Sequence, residues 1–193
     1  VFKWLYTKMA FDFDDMSDLS KDLREQLKQE CVIDTCLISE KQVSKDGTIK
    51  YLFKLADGSL IESVLMIHDY GRSLCVTSQV GCNMQCRFCA SGLLKKQRNL
   101  TAGEMVNQIM AVMKDTNQRV SHVVVMGTGE PFDNYDEVMK FVRIINHPQG
   151  LAIGARHITI STCGLVPKIE QYSHEGIQTN LAISLHAPND EIR

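Results

Sequence analysis

The 193-residue sequence contains no long apolar run; nothing in it approaches the roughly 18 consecutive apolar residues of a membrane span. Its first residues show no basic-then-apolar signal pattern, so the expectation is a cytoplasmic protein with no membrane partner. It also lacks an excess of charge of either sign. Lys and Arg number 21, Asp and Glu 23, and the net charge is −2. That balance argues against holding nucleic acid by charge alone, but leaves room for a local basic patch. Internal repeats and low-complexity tracts are missing too. What remains is 44% hydrophobic and 23% charged, which excludes a disordered or collagen-like chain. A chain of this length buries about 70% of its unfolded surface and needs no staples to fold. The sequence opens on Val1 rather than Met and stops at Arg193 without a helix stop or tail. The expectation is a fragment trimmed at both ends.

Periodicity divides the chain into three parts. Residues 1–35 read as an N-terminal helical segment. Phe2, Trp4, Leu5 and Met9 supply one apolar face, and Leu19, Leu23 and Leu27 recur at i+4 behind a Ser17 or Ser20 cap. Residues 36–67 read as a β-hairpin linker: strands at 51–55 and 60–67 flank the turn dipeptide Asp57-Gly58. Residues 68–193 alternate strand and helix. Strands fall at 74–77, 121–126, 157–160 and 180–185. Helices begin at Thr101, where Glu104 completes a capping box, near Asn134 or Asp136, and at Leu165. This β-(αβ)₃ order predicts an α/β fold with a parallel sheet, open or curled into a barrel.

Seven cysteines cannot all pair, and four of them, Cys75, Cys82, Cys86 and Cys89, share one short stretch. In a reducing compartment clustered thiols are metal ligands or catalysts more often than disulfides. Cys31 and Cys36 read as small buried hydrophobes. The segment Cys82-Asn83-Met84-Gln85-Cys86-Arg87-Phe88-Cys89 has the spacing CxxxCxxC just after a strand, so one loop can wrap three thiolates around a metal centre. Zinc wants a fourth Cys or His at matching spacing, and none is nearby. Three thiolates suit a [4Fe–4S] cluster with one iron left open.

The CxxxCxxC loop with an aromatic before its third Cys resembles the radical S-adenosylmethionine (SAM) superfamily. Further segments sharpen the likeness: residues 71–82, Arg98-Asn99-Leu100-Thr101-Ala102-Gly103-Glu104, Gly127-Thr128-Gly129-Glu130-Pro131, Ile160-Ser161-Thr162-Cys163-Gly164 and Ser184-Leu185-His186-Ala187-Pro188-Asn189. With Phe2-Lys3-Trp4 and Leu19-Ser20-Lys21 they resemble, in order, the dual-specificity rRNA and tRNA adenine carbon-2 methyltransferases of RlmN type. The resemblance implies a partial (βα) barrel, truncated here at its C-terminus and preceded by the helical segment and the hairpin. The cofactors it implies are a [4Fe–4S] cluster on Cys82, Cys86 and Cys89, and SAM held by Gly129, Glu130, Ser161, Ser184, Leu185 and His186.

The same resemblance makes Glu62 a proton acceptor and Cys75 a catalytic thiol. Cys75 would pair transiently, as a disulfide, with a methyl-carrying cysteine that lies beyond Arg193. The substrates implied are 23S rRNA and tRNA; a reductase-type electron donor and a monomer are expected. The strand order supports one ligand site independently, because ligands bind at the carboxyl ends of parallel strands, where these loci fall. Arg87, Lys95, Lys96 and Arg98 read as a solvated face or as a rim that contacts RNA phosphates. Thr128 departs from the hydrophobic residue frequent in relatives, and Cys163 reads as structural. The rivals are a related carbon-8 adenine methyltransferase of the antibiotic-resistance type, a metal-stabilised RNA-binding module without turnover, and a radical SAM enzyme that activates a protein. Gly129-Glu130-Pro131 and Ala187-Pro188-Asn189-Asp190 look like the carbon-2 type.

Overall fold

The computed structural model describes residues 1–187, Asn189 and Glu191. The Ala187-Pro188-Asn189-Asp190 signature and the Ile192-Arg193 end therefore fall partly outside the described residues. In chain order the elements are α1 (Phe2–Tyr6), α2 (Lys21–Glu30), β1 (Leu37–Val43), β2 (Ile49–Lys54), β3 (Leu60–His68), β4 (Gly71–Cys75), β5 (Gln79–Val80), β6 (Arg98–Asn99), α3 (Ala102–Thr116), β7 (His122–Val125), α4 (Tyr135–Asn146), β8 (Ile158–Thr162), α5 (Val166–Ser173) and β9 (Asn180–Ile183). None of the described helices is long and apolar enough to cross a membrane.

Seven strands form one sheet in the order β1-β2-β3-β4-β7-β8-β9. The first four pair antiparallel, and β4, β7, β8 and β9 pair parallel. The expected hairpin is present as β2 and β3. It carries an unexpected outer strand, β1, and it continues through β4 into the parallel sheet. Strand β1 gave no sequence signal because all seven of its residues are exposed, so no alternation marks it.

The N-terminal segment is also less helical than its apolar residues imply. Met9 adopts a left-handed φ of 54°, and Asp12 caps a single 3₁₀ turn at 13–15. Ala10, Phe13 and Met16 are buried there in a small satellite core. Ser20, rather than Ser17, caps α2 through the Leu23 amide.

Side chains alternate across a strand, and the register runs unbroken from β2 to β9, so these strands sort into two faces. On one face Leu65, Leu74, Val123 and Ile158 stand in a row and join Ile109 of α3 and Val142 of α4 in the main core. The opposite face holds Glu62, Val64 and Met66 of β3, Cys75 of β4, Val124 of β7, and Thr159 and Ser161 of β8. Apart from the exposed Glu62, these are half-buried, so the less covered face is the one that carries the candidate chemistry.

Candidate active site

The thiol loop lies between β5 and β6, which pair antiparallel in a small two-stranded sheet of their own. Gly81 has φ +76°, and a Cβ there would stand 2.2 Å from the Lys95 carbonyl oxygen, so only glycine lets the two arms of the loop touch. The Cys82 amide closes the loop on the Leu94 carbonyl at 2.9 Å. Within it the Met84 amide donates to Cys82 Sγ at 3.5 Å. Cys82, Cys86 and Cys89 line one cavity of about 210 Å³ together with Gly127, Gly129, Glu130, Ser161, Ser184 and His186. Residues far apart in sequence thus meet on the rim formed by the ends of β7, β8 and β9.

The cysteines are free thiols throughout the chain. Burial pushes the Cys82 thiol up; the Met84 amide works the other way, and negative charge on Cys86, Cys89 and Glu130 pushes it up further. A cationic centre would relieve that mutual repulsion, and soft thiolates are the donors that iron–sulfur clusters use. Among the described residues no three His, Cys, Asp or Glu side chains converge tightly enough to hold a single metal ion. A cubane asks less convergence of its ligands, since each thiolate takes a different iron. The donor set therefore fits a cluster better than it fits zinc.

Glu130 is buried, and both its oxygens are engaged. Oε1 accepts from the Phe132 amide at 3.0 Å and Oε2 from the Cys163 amide at 2.8 Å. It ties the turn after β7 to the turn after β8, and only its remaining lone pairs are open to a ligand. The Glu130 amide in turn donates to Gln79 Oε1 at 2.9 Å. Gly129 has φ +110°, and a Cβ there would meet Gln79 Cβ at 2.6 Å. Ser161 Oγ and Ser184 Oγ lie 3.1 Å apart. His186 sits in a left-handed conformation with its ring against Phe88, centroids 3.4 Å apart. Leu185 is 62% exposed and does not line the cavity.

Neither Glu62 nor Cys75 lines the thiol cavity. The register nevertheless brings them together. Val64 pairs with Cys75, so Glu62 occupies the diagonal position on the same face, roughly 7–8 Å away by sheet geometry. Burial pushes the Cys75 thiol up, and the Met126 backbone opposes it. Glu62 forms a 2.7 Å ion pair with Lys50 and faces a larger cleft of about 660 Å³ between the hairpin and the arm that follows the thiol loop. Lys95 lines that cleft as well.

The four clustered cations separate into two kinds. Arg98 is spent on acids: its guanidinium binds Glu104 through two nitrogens at 2.7 and 2.9 Å and Asp57 at 2.7 Å. Lys96 binds Asp133 at 2.7 Å. Arg87 and Lys95 have no acidic partner among the described residues and remain available to an anionic ligand. Sequence reading missed that division, because Asp57, Glu104 and Asp133 are dispersed along the chain. Cys163, which the sequence reads as structural, is also among the residues that line the cavity. Burial and neighbouring Glu130 push it up to about 12.

Comparison with known proteins agrees with this architecture. The family model for the Radical SAM superfamily matches residues 76–193. That for the ribosomal RNA large subunit methyltransferase N-terminal domain matches residues 1–33. A probable dual-specificity RNA methyltransferase RlmN of Spiroplasma citri is 59% identical over 196 residues, covering all of this chain and 57% of its own length. A protein of the same description from Geobacillus kaustophilus is also 59% identical, with 54% of its length covered. The crystal structure of a radical SAM methyltransferase from Sphaerobacter thermophilus superposes with a TM-score of 0.91 at 44% identity, covering all of this chain and 57% of that one. The chain thus spans a little over half the length of these relatives.

Proposed function

Because the chain belongs to the radical SAM superfamily, we propose that it is the catalytic part of an RNA methyltransferase that places a methyl group on carbon-2 of adenine in 23S rRNA and tRNA. The observation that carries this reading is the single cavity in which the CxxxCxxC thiols meet the ends of β7, β8 and β9. Similarity over the whole chain to proteins described as RlmN supports the substrate class. When bound, the cluster and SAM, with an electron from a reductase-type donor, supply a carbon radical, which suits a ring carbon that is not nucleophilic.

In this reading Cys82, Cys86 and Cys89 hold the cluster. Gly129 lets the backbone approach SAM, Glu130 offers its free lone pairs to the SAM ammonium, and Ser161, Ser184 and His186 complete the cradle, with exposed Leu185 touching SAM only from outside the cavity. The methyl group passes by way of a cysteine supplied from outside this sequence. Glu62 takes the proton from the adenine carbon; the carbon–sulfur bond to the outside cysteine breaks, the transferred carbon takes up one proton, and that sulfur joins Cys75 in a disulfide as the Cys75 thiol loses its proton and the one surplus electron returns to the electron carrier. Arg87 and Lys95 take RNA phosphates, which position the RNA without reading its sequence.

Anaerobic reconstitution tests the core of the proposal. The chain should take up four irons, and after reduction its electron paramagnetic resonance signal should change when SAM is added. Replacing any one of Cys82, Cys86 or Cys89 by Ala should remove most of the iron. Stoichiometric zinc with no cluster signal would overturn the assignment.

A further inference from the structure

The strongest feature outside the site's assigned residues is a continuous run of polar contacts that leads from the thiol loop to the turns lining the cavity. It starts inside the CxxxCxxC loop, where Asn83 Oδ1 accepts from the Lys96 backbone amide at 3.3 Å. Lys96 Nζ then reaches Asp133 Oδ2 at 2.7 Å. The same oxygen accepts from Gln79 Nε2 at 2.9 Å, and Gln79 Oε1 accepts the Glu130 amide. Glu130 closes the run on the Cys163 amide. Lys96 links two segments that line the cavity: its backbone amide meets Asn83 of the thiol loop, and its ammonium meets Asp133 of the turn that follows Glu130.

Burial sets this ion pair apart from an ordinary surface one. The Lys96 side chain is 18% exposed and that of Asp133 32%. Gln79, which shares the carboxylate, is fully buried. Burial alone would push the Asp133 carboxyl up, yet Lys96 and Gln79 hold it below its usual range. A cation so engaged is poorly placed to serve RNA, since leaving Asp133 would strand a partly buried charge.

We propose that Lys96 is a positioning residue: it fastens the thiol loop to the turn after β7, presetting the width of the cavity before any ligand arrives. The part of this that concerns SAM rests on the function proposed above; the part that concerns the loop does not. The test therefore has two readouts. In the metal-free chain, Lys96→Met should speed hydrogen exchange of the amides in residues 82–94 by about tenfold, as expected on losing a hydrogen bond to a charged group. Asp133→Asn should do the same to a smaller degree, and Lys96→Arg should restore protection.

In the reconstituted full-length enzyme, Lys96→Met should weaken SAM binding about tenfold while the KM for RNA and its salt dependence stay unchanged. If Lys96→Met fails to assemble a cluster, Lys96→Arg should regain it. Unchanged loop exchange overturns the proposal. So does a raised RNA KM whose salt slope falls by about one, the mark of a phosphate contact. A Lys96→Arg chain equally devoid of iron overturns it too. Absence of a cluster from the unsubstituted chain would count against the proposed function alone, because the exchange readout needs no metal.

Discussion

Of the four thiols outside the CxxxCxxC loop, Cys163 lines the cavity and Cys75 ends β4. Cys163 lines the cavity, but with its thiol pushed up to about 12 it stays protonated at neutral pH and makes a poor nucleophile. Cys75 stands diagonal to Glu62 on the open face of the sheet. In the full-length enzyme, Cys75→Ala should leave cluster content and SAM cleavage intact and stall product release, so that an RNA–protein adduct appears on a denaturing gel after one turnover. Cys163→Ala should turn over without adduct. Adduct from Cys163→Ala, or normal turnover by Cys75→Ala, would reverse the two roles. Gly129 offers a test on the backbone. Alanine there must adopt φ +110° and meet Gln79, so Gly129→Ala should lower stability by about 1–2 kcal/mol or more, measured by urea unfolding.

The element most dependent on distant partners is the start of α3. Its capping box, Thr101 with Glu104, was legible from spacing alone, and Thr101→Ala should cost about 1 kcal/mol. The clamp beyond the box was not legible, because Arg98 joins Glu104 to Asp57 of the hairpin turn across 41 residues. Burial pushes the Glu104 carboxyl up, but Arg98 and the Thr101 amide outweigh it, and the net position is below the ordinary 4.5. The folded value is the lower one, so the stabilisation is present above about pH 4.5 and is lost as pH falls through the folded value. Glu104→Gln should flatten the acid side of a plot of unfolding midpoint against pH; an unchanged acid slope would remove Glu104 from that role. The same limit explains what else the sequence concealed. Asp57-Gly58 and the β-branched run at 122–125 declare themselves locally, whereas edge strand β1 has no alternation to declare. Lys96 looks like one more solvated cation until Asp133 is seen beside it.

At the scale of the whole molecule, the antiparallel strands are not an appendage. Phe53 and Tyr51 of β2 belong to the same core as Val125 of β7 and Ile160 of β8. Truncating Phe53 to Ala should cost about 3–5 kcal/mol and lower one common transition, seen alike by a far-ultraviolet probe and by hydrogen exchange of the amides of β2 and of β8. Two separated transitions would mean that the sheet's halves are independently stable.

Strand β4 pairs antiparallel with β3 on one edge and parallel with β7 on the other. Leu74 meets Leu65, nine residues back, but Val123 lies 49 residues ahead. Closing the short loop loses less chain entropy than closing the long one, and ribosomes release the N-terminal side first. The order of assembly is therefore built into the strand: β2, β3 and β4 can zip while the thiol loop is still being synthesised, and β4 then offers β7 a finished edge. Pulse-labelled exchange during refolding should find the amides of residues 60–75 protected before those of 158–162. The reverse order would mean that the parallel strands nucleate the sheet.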